Sequence, residues 1–211
     1  MLNDATLGKI AVIYYSSTGD VYKLARIITE GAEQAGAQVR LRKIEETVSR
    51  DIIDHHDEWR QHLEDTRSIP VATQDDLFWS NGVIFGTPAR FGNIAAQLKQ
   101  FIDTLSGIWM KDLLADKVYS GFTATASAHG GQETTLMALY NSIYHFGGML
   151  VTPGYKGHHY DTYRNPYGAS YVTGEDNTIP LGEASREEAL QQGQRIARMA
   201  AAMTDGLSRI T

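Results

Sequence analysis

The chain of 211 residues contains no cysteine. Without cysteine there are no disulfides, no thiol nucleophile and no cysteine-held iron–sulfur cluster. The sequence also lacks the run of about 18 apolar residues that a membrane span needs. Residues 1–6 show neither the basic nor the apolar segment of a signal peptide. We therefore expect a cytoplasmic protein with no membrane insertion.

Positive charge is in short supply, since the formal net charge is −6. Such a balance argues against a surface built to bind nucleic acid or anionic lipid. The negative charge is concentrated in residues 45–67, which hold eight Asp or Glu against three Arg. We interpret this stretch as a solvated helical insertion.

Short apolar runs alternate with segments of helical period along the whole chain. Five runs are predicted as strands: the one ending at Tyr15, then Gln38–Lys43, Gly82–Gly86, about Lys117–Thr125, and Met149–Thr152. A last helix is predicted over about Arg186–Met203. This alternation is typical of a parallel sheet with helices on both faces. We expect a doubly wound α/β fold, strand order 2-1-3-4-5, in a single domain over residues 1–211.

The loop after the first strand reads Ser16-Ser17-Thr18-Gly19-Asp20-Val21 and leads directly into a helix. Hydroxyls and free backbone N–H groups at a helix N-terminus favour a phosphate group. The loop has no Lys or Arg and matches neither Gly-x-x-x-x-Gly-Lys nor Gly-x-Gly-x-x-Gly spacing. A terminal monophosphate is the remaining candidate. The alternative is that Ser, Thr and Gly serve only as helix caps.

Two further polar loops, 87–93 and 125–131, follow the third and fourth predicted strands. In this strand order all three loops meet at the carboxyl edge of the sheet, where ligands bind. Asn93 is expected to cap the helix after the second loop. Residues 153–185 hold five of the 11 tyrosines, and we expect them to form an ordered wall beside the site.

Several motifs in order resemble the WrbA-type family of flavodoxin-like NAD(P)H:quinone oxidoreductases, over about Lys9 to Met203. They are Tyr14-Tyr15-Ser16 with Gly19, Phe85 to Asn93, Gly107-Ile108-Trp109, His129 to Thr134, His145, and Pro166-Tyr167-Gly168-Ala169. The resemblance implies a flavodoxin-like fold and bound FMN. It also implies an enzyme that reduces quinones to hydroquinones by two electrons, through ping-pong hydride transfer from NADH or NADPH.

The resemblance also implies the roles of individual residues. FMN would be held by Ser16, Ser17, Thr18, Gly19, Asp20, Val21, Pro88, Ala89, Arg90, Phe91, Ala124, Thr125, Ala126, Ser127, Ala128, His129, Gly130 and His145. Arg90 and His145 would act in catalysis by stabilising negative charge on the reduced cofactor. Thr18 and Trp109 would contact the substrate. A homotetramer with pockets at subunit junctions is expected.

Other interpretations stay open at this point. Arg90 could form an ordinary surface ion pair, His145 could favour a helix C-terminus, and Trp109 could be core. A flavodoxin-type electron carrier or a flavin-containing partner-binding protein is the alternative function. The pairs His55-His56 and His158-His159 lack a third ligand at suitable spacing, so we expect no metal. Because a carboxylate repels phosphate, Asp20 should turn outward.

Overall fold

A computed structural model of the protein describes residues 8–155 and 164–209. The strands are β1 (Lys9–Tyr14), β2 (Gln38–Lys43), β3 (Gly82–Pro88), β4 (Val118–Thr125), β5 (Met149–Leu150) and β6 (Ser170–Val172). The helices are α1 (Asp20–Gln34), α2 (Arg50–Ile53), α3 (Asp57–Asp65), α4 (Gln74–Trp79), α5 (Ala96–Asp103), α6 (Ser106–Trp109), α7 (Gln132–Phe146) and α8 (Glu183–Ser208).

The sheet is parallel, with the strand order β2-β1-β3-β4-β5. Every residue of β3 and β4 is buried, because helices cover both faces of the sheet. One face packs on α5 and α7 through residues such as Leu98, Leu136 and Ile143. The other packs on α1 and α8 through residues such as Leu24 and Ile196. The predicted fold class and strand order are confirmed.

The acidic segment forms the two short helices α2 and α3. Its residues are mostly exposed, apart from Ile53, His62 and Thr66, which are buried. The prediction of a helical insertion is therefore confirmed. One histidine of this insertion turns inward, toward α1, and is important for the site described below.

The fifth strand differs from the prediction. Only Met149 and Leu150 pair with the beginning of β4, and the chain then leaves the sheet. It returns as β6, which pairs with Thr123–Thr125 at the end of β4. The fifth position of the sheet is therefore shared by two short segments, and β6 lies within the region predicted to be a loop.

Two helix boundaries also differ. Helix α8 runs over Glu183–Ser208, longer at both ends than predicted. Asn93 does not cap α5, which begins after Ala95; the Oδ1 of Asn93 accepts the N–H of Ile94, and Thr87 Oγ1 accepts the N–H of Ala95. Helix α5 thus begins without a side-chain cap, and Thr87 holds the residue that precedes its first turn.

His158 and His159 lie outside the described residues, as do Tyr160 and Tyr163 of the predicted wall. Within the described residues, no helix is both long and apolar enough to cross a membrane.

Candidate functional site

The loop between β1 and α1 is shaped by a short internal hydrogen bond. Ser16 Oγ accepts the N–H of Gly19 (3.0 Å), and the backbone of Gly19 is left-handed, with φ 100°. A left-handed residue is easiest to form with glycine. The turn leads directly into α1, whose first residue is Asp20.

Four backbone N–H groups of this loop lack a partner in the part of the chain that the structure describes. Among residues 8–155 and 164–209, no acceptor is found for the N–H groups of Ser17, Thr18, Asp20 or Val21. Asp20 and Val21 are themselves buried. Because buried N–H groups nearly always have a partner, these donors fit an anionic ligand at the helix N-terminus.

Asp20 does not turn outward, contrary to the prediction. Its side chain is buried and directed toward β6, where Oδ1 accepts a hydrogen bond from the hydroxyl of Tyr171 (3.0 Å). Lys23 Nζ lies 2.8 Å from the same oxygen, and Thr18 Oγ1 donates to Oδ2 (3.2 Å). The carboxylate is therefore neutralised inside the protein rather than by solvent.

The second loop contains a two-residue turn. The backbones of Arg90 and Asn93 exchange both N–H···O hydrogen bonds (2.8 and 3.0 Å). Phe91 and Gly92 between them have φ of 54° and 73°, as in a type I′ turn. The turn holds the Phe91 side chain fully in solvent at the rim of the site.

Arg90 connects this loop to the phosphate loop. Its guanidinium donates from Nη2 to Ser17 Oγ (3.2 Å) and from Nη1 to the carbonyl of Ala89 (3.2 Å). The side chain is exposed and forms no ion pair with a described acidic residue. The alternative of an ordinary surface ion pair therefore finds no support among the residues described.

The third loop begins at Thr125 and is tied at its base. Thr125 Oγ1 donates to the carbonyl of Ser127 (2.9 Å) and accepts from Gln132 Nε2 (2.9 Å). Ala126 to His129 are exposed. A Cβ on Gly131 would lie 2.8 Å from the Cα of Gly92, so only glycine permits these two loops to approach so closely. The three loops thus lie together at one edge of the sheet, as predicted.

Residues of the acidic insertion support the phosphate loop, which the sequence did not indicate. The ring of His62 lies against Gly19 and tilts onto the ring of Tyr22. Burial, with a smaller contribution from Lys43, lowers the pKa of His62 to about 4. At neutral pH the imidazole is therefore uncharged, and it acts as a packing surface for the loop.

Glu46 joins the insertion to the end of β1. Its carboxylate accepts hydrogen bonds from Tyr15 Oη, Trp59 Nε1 and Gln97 Nε2, at 2.9, 2.9 and 3.1 Å. These donors lie directly after β1, on α3 and on α5. Since Tyr15 directly precedes Ser16, the carboxylate fixes the start of the phosphate loop. No spacing rule would have selected it from the sequence.

Trp109 and His145 lie away from the three loops of the site. Trp109 Nε1 donates to the backbone carbonyl of His145 (2.7 Å), and both side chains are exposed. Helix α7 starts near the carboxyl edge and ends just before β5, which pairs with the beginning of β4. Its 15 residues, at about 1.5 Å each, put His145 roughly 20 Å from the three loops. The structure does not bring these two residues to the site of their own chain.

A groove between α5 and α7 connects the two places. Its upper part, about 510 Å³, is lined by Arg90, Lys99 and Ser142 among others. Its lower part, about 260 Å³, shares Lys99 and Ser142 and extends to Trp109 and His145. The two parts share Lys99 and Ser142, so together they extend from Arg90 at the rim of the loops to Trp109 and His145.

The residues present fit FMN. The N–H groups without an acceptor in the described residues and the hydroxyls of Ser16 and Ser17 suit a terminal phosphate, whereas the Thr18 hydroxyl donates to Asp20. Ala89, Arg90 and residues 124–130 form the neighbouring rim on which a planar ring could rest. The individual contacts remain predictions.

Comparisons with known proteins agree with this geometry. The family model described as NADPH-dependent FMN reductase matches residues 9–159. An NAD(P)H dehydrogenase (quinone) from Deinococcus radiodurans is 40% identical over 92% of this chain and 96% of its own length. Another from Sinorhizobium fredii is 36% identical over 94% of this chain and 100% of its own.

Solved structures give the same result. A WrbA-like flavodoxin from Agrobacterium tumefaciens is 26% identical, with a TM-score of 0.65, over 92% of this chain and 97% of that one. A flavodoxin from the domain Archaea has a TM-score of 0.59 at 12% identity, which shows the shared fold alone.

The fold and the loops at its carboxyl edge define a flavodoxin-like flavoprotein. The chain belongs to the NADPH-dependent FMN reductase family and, within it, to the WrbA family of NAD(P)H dehydrogenases (quinone). The resemblance drawn from the sequence motifs is confirmed.

Proposed function

We propose that the chain, acting as a single domain, is an FMN-dependent NAD(P)H:quinone oxidoreductase that reduces quinones to hydroquinones. The observation that carries the proposal is the set of N–H groups of Ser17, Thr18, Asp20 and Val21, which have no acceptor in the described part of the chain, beside the rim formed by the other two loops. The names of its relatives, NAD(P)H dehydrogenase (quinone), support the choice of donor and acceptor.

The chain's own residues supply binding and electrostatics. Residues 16–21 hold the phosphate, and the glycine contact between Gly92 and Gly131 keeps the other two loops close together. Bound FMN supplies the hydride-transfer chemistry. The Arg90 guanidinium, which forms no ion pair with a described acidic residue, stabilises negative charge that develops at this rim.

The nicotinamide ring of NADH or NADPH and the quinone ring use the same open rim in turn, because both rings are flat and need the same face. The order of events is therefore ping-pong. A cytoplasmic location belongs to the same proposal: the donor is an intracellular coenzyme, and the chain contains no cysteine.

Steady-state kinetics test the function. The purified protein loaded with FMN should oxidise NADH with benzoquinone and give parallel double-reciprocal lines. Riboflavin, which lacks the phosphate, is the matched control. The protein should bind riboflavin more weakly than FMN by orders of magnitude. Absence of quinone-dependent NADH oxidation would refute the enzymatic assignment, and intersecting lines would refute the shared face.

The proposal includes a homotetramer in which Trp109 and His145 serve the pocket of a neighbouring subunit. Both residues are exposed about a helix length from their own phosphate loop, at the far end of the groove. Large apolar side chains that are exposed in the same part of the chain include Met110, Tyr144 and Met149. A single chain would leave this surface in water, which favours its burial by another copy.

Mixing two variants of reduced activity tests the shared pocket. Arg90→Ala removes the cation at the rim of a pocket. Trp109→Ala removes the side chain that a neighbouring subunit is proposed to contribute to that pocket. Subunits refolded or exchanged together should form some pockets with both residues intact, so activity should exceed the sum of the separate variants. No recovery in a mixture shown by sedimentation to be co-assembled would contradict the proposal, as would a fully active monomer.

A further inference from the structure

The phosphate loop contains a buried acidic residue, although a phosphate is expected there. Asp20 is the first residue of α1 and is 5% exposed. The positive end of the helix dipole attracts its carboxylate as well as a phosphate. Two negative groups would therefore compete for the same N–H groups unless the carboxylate is held elsewhere.

The structure shows what holds it. The Tyr171 hydroxyl donates to Asp20 Oδ1 at 3.0 Å, and Lys23 Nζ lies 2.8 Å from the same atom. The Tyr171 hydroxyl also lies 3.1 Å from the carbonyl of Ile179; it has one proton, and the charged carboxylate is the stronger acceptor. Oδ1 thus faces β6, while Oδ2 accepts a hydrogen bond from Thr18 Oγ1 (3.2 Å). Among the described residues, no N–H of the loop donates to this carboxylate.

Tyr171 is itself held firmly. It lies in the middle of β6, is 4% exposed and is paired in register with Ala124 of β4. The strand that leads into the third loop therefore fixes the tyrosine, and the tyrosine fixes the carboxylate of the first loop. Because Tyr171 is part of β6, its contact with Asp20 forms only where the chain returns to the sheet as β6.

We propose that Tyr171 is a positioning residue that gives the site its preference for a phosphorylated flavin, by keeping the Asp20 carboxylate away from the phosphate. The inference rests on the proposed function, since it takes the loop to bind the phosphate of FMN. Without the tyrosine, the carboxylate is free to turn toward the N–H groups of residues 17–21 and to repel the ligand there. Riboflavin has no phosphate and is unaffected by that rotation.

Dissociation constants for FMN and riboflavin, measured by quenching of flavin fluorescence, test this. Tyr171→Phe should weaken FMN binding about tenfold, since one charge-assisted hydrogen bond is lost, and should change riboflavin binding less than twofold. Asp20→Asn should bind FMN at least as tightly as the parent protein. The double variant Asp20→Asn/Tyr171→Phe should equal Asp20→Asn, because no carboxylate remains to be held.

Three results would overturn the inference: equal weakening of FMN and riboflavin, unchanged FMN affinity in Tyr171→Phe, or no rescue in the double variant. Equal affinity of the parent protein for FMN and riboflavin would instead refute the phosphate site of the proposed function. Thermal unfolding checks that each variant is folded.

A second cycle covers the case in which Tyr171→Phe does not fold. Lys23→Gln changes a half-exposed side chain and should weaken FMN binding in the parent protein. In the Asp20→Asn background it should have no effect, since the lysine acts through the carboxylate. Equal weakening in both backgrounds would show direct attraction of the phosphate and would contradict the positioning role of the Asp20 contacts.

Discussion

The side-chain amide of Gln192 donates a hydrogen bond to the backbone carbonyl of Gly121 (2.8 Å), at the place where the fifth strand of the sheet is interrupted. The side-chain carbonyl oxygen of Gln192 accepts a hydrogen bond from the N–H of Ala169 at 2.8 Å. Leu150 pairs with Tyr119 and Ser170 pairs with Thr123, so Gly121 lies opposite the gap. The buried glutamine of α8 therefore takes the place of a strand residue.

Replacing Gln192 should destabilise the fold. Gln192→Leu leaves a buried carbonyl and a buried N–H without partners, and we expect a loss of about 2–4 kcal/mol in the free energy of unfolding. Urea denaturation measures it. Gln194→Leu, which changes a more exposed amide two residues along the same helix, is the control and should cost less than about 0.5 kcal/mol. Similar losses in both variants would contradict the bridging role.

The buried His62 should make the stability depend on pH. Its pKa is about 4 in the folded protein against an ordinary value of 6.5. The unfolded chain therefore binds a proton first, and the free energy of unfolding falls as the pH is lowered from 6.5 to 4, by at most about 1.4 kcal/mol per pH unit.

Substitution checks this assignment. His62→Gln should flatten the pH dependence over that interval, whereas His56→Gln, at an exposed position, should leave it unchanged. Urea denaturation at several pH values gives the slopes. If the slope in His62→Gln matches that of the parent protein, another group is responsible.

Glu188 on α8 should have the opposite effect at higher pH. Burial raises its pKa to about 8 from an ordinary 4.5, although the nearby Arg164 lowers it. The folded protein thus holds a proton that the unfolded chain has lost, and this contribution to stability disappears as the pH rises from 4.5 to 8. Glu188→Gln should be more stable than the parent above pH 8. Glu175→Gln, at an exposed position, should behave like the parent.

Arg90→Ala should impair the reaction without changing the fold. The side chain is exposed, and its hydrogen bonds go to Ser17 and Ala89 at the rim, so the melting temperature should shift little. Loss of a charged donor at the reacting face should lower the rate of cofactor reduction about tenfold or more. Lys99→Ala, which removes a cation lower in the same groove, is the control for general charge effects. Equal effects of both variants on the rate would argue against a specific role of Arg90.

The sequence predicted those parts of the fold that local patterns determine. The first and third strands are mostly apolar runs because the sheet is buried on both faces, and the buried fourth strand places Ser120, Thr123 and Thr125 among its apolar residues. The loops follow directly from these strands, so their meeting at one edge could also be predicted. The family motifs added the cofactor and the reaction.

The remaining features depend on residues far apart in the sequence. Tyr171 and Asp20 are separated by 151 positions, and nothing near Asp20 indicates that its carboxylate has a partner inside the protein. The sequence does not show that β5 ends at Leu150, because the apolar pattern continues through Val151. Trp109 and His145 are far from the phosphate loop because α7 runs away from the carboxyl edge of the sheet. The sequence motifs do not indicate the direction of this helix.

Phe91 combines a left-handed backbone with a fully exposed ring. A non-glycine residue in that conformation costs about 1–2 kcal/mol, and a ring in water returns none of it. Asparagine or glycine at this position would make a more stable protein with a bare rim. Phe91 thus lowers the stability of the fold while it places an aromatic ring where planar molecules can stack. Selection for thermal stability alone would favour the replacement of Phe91.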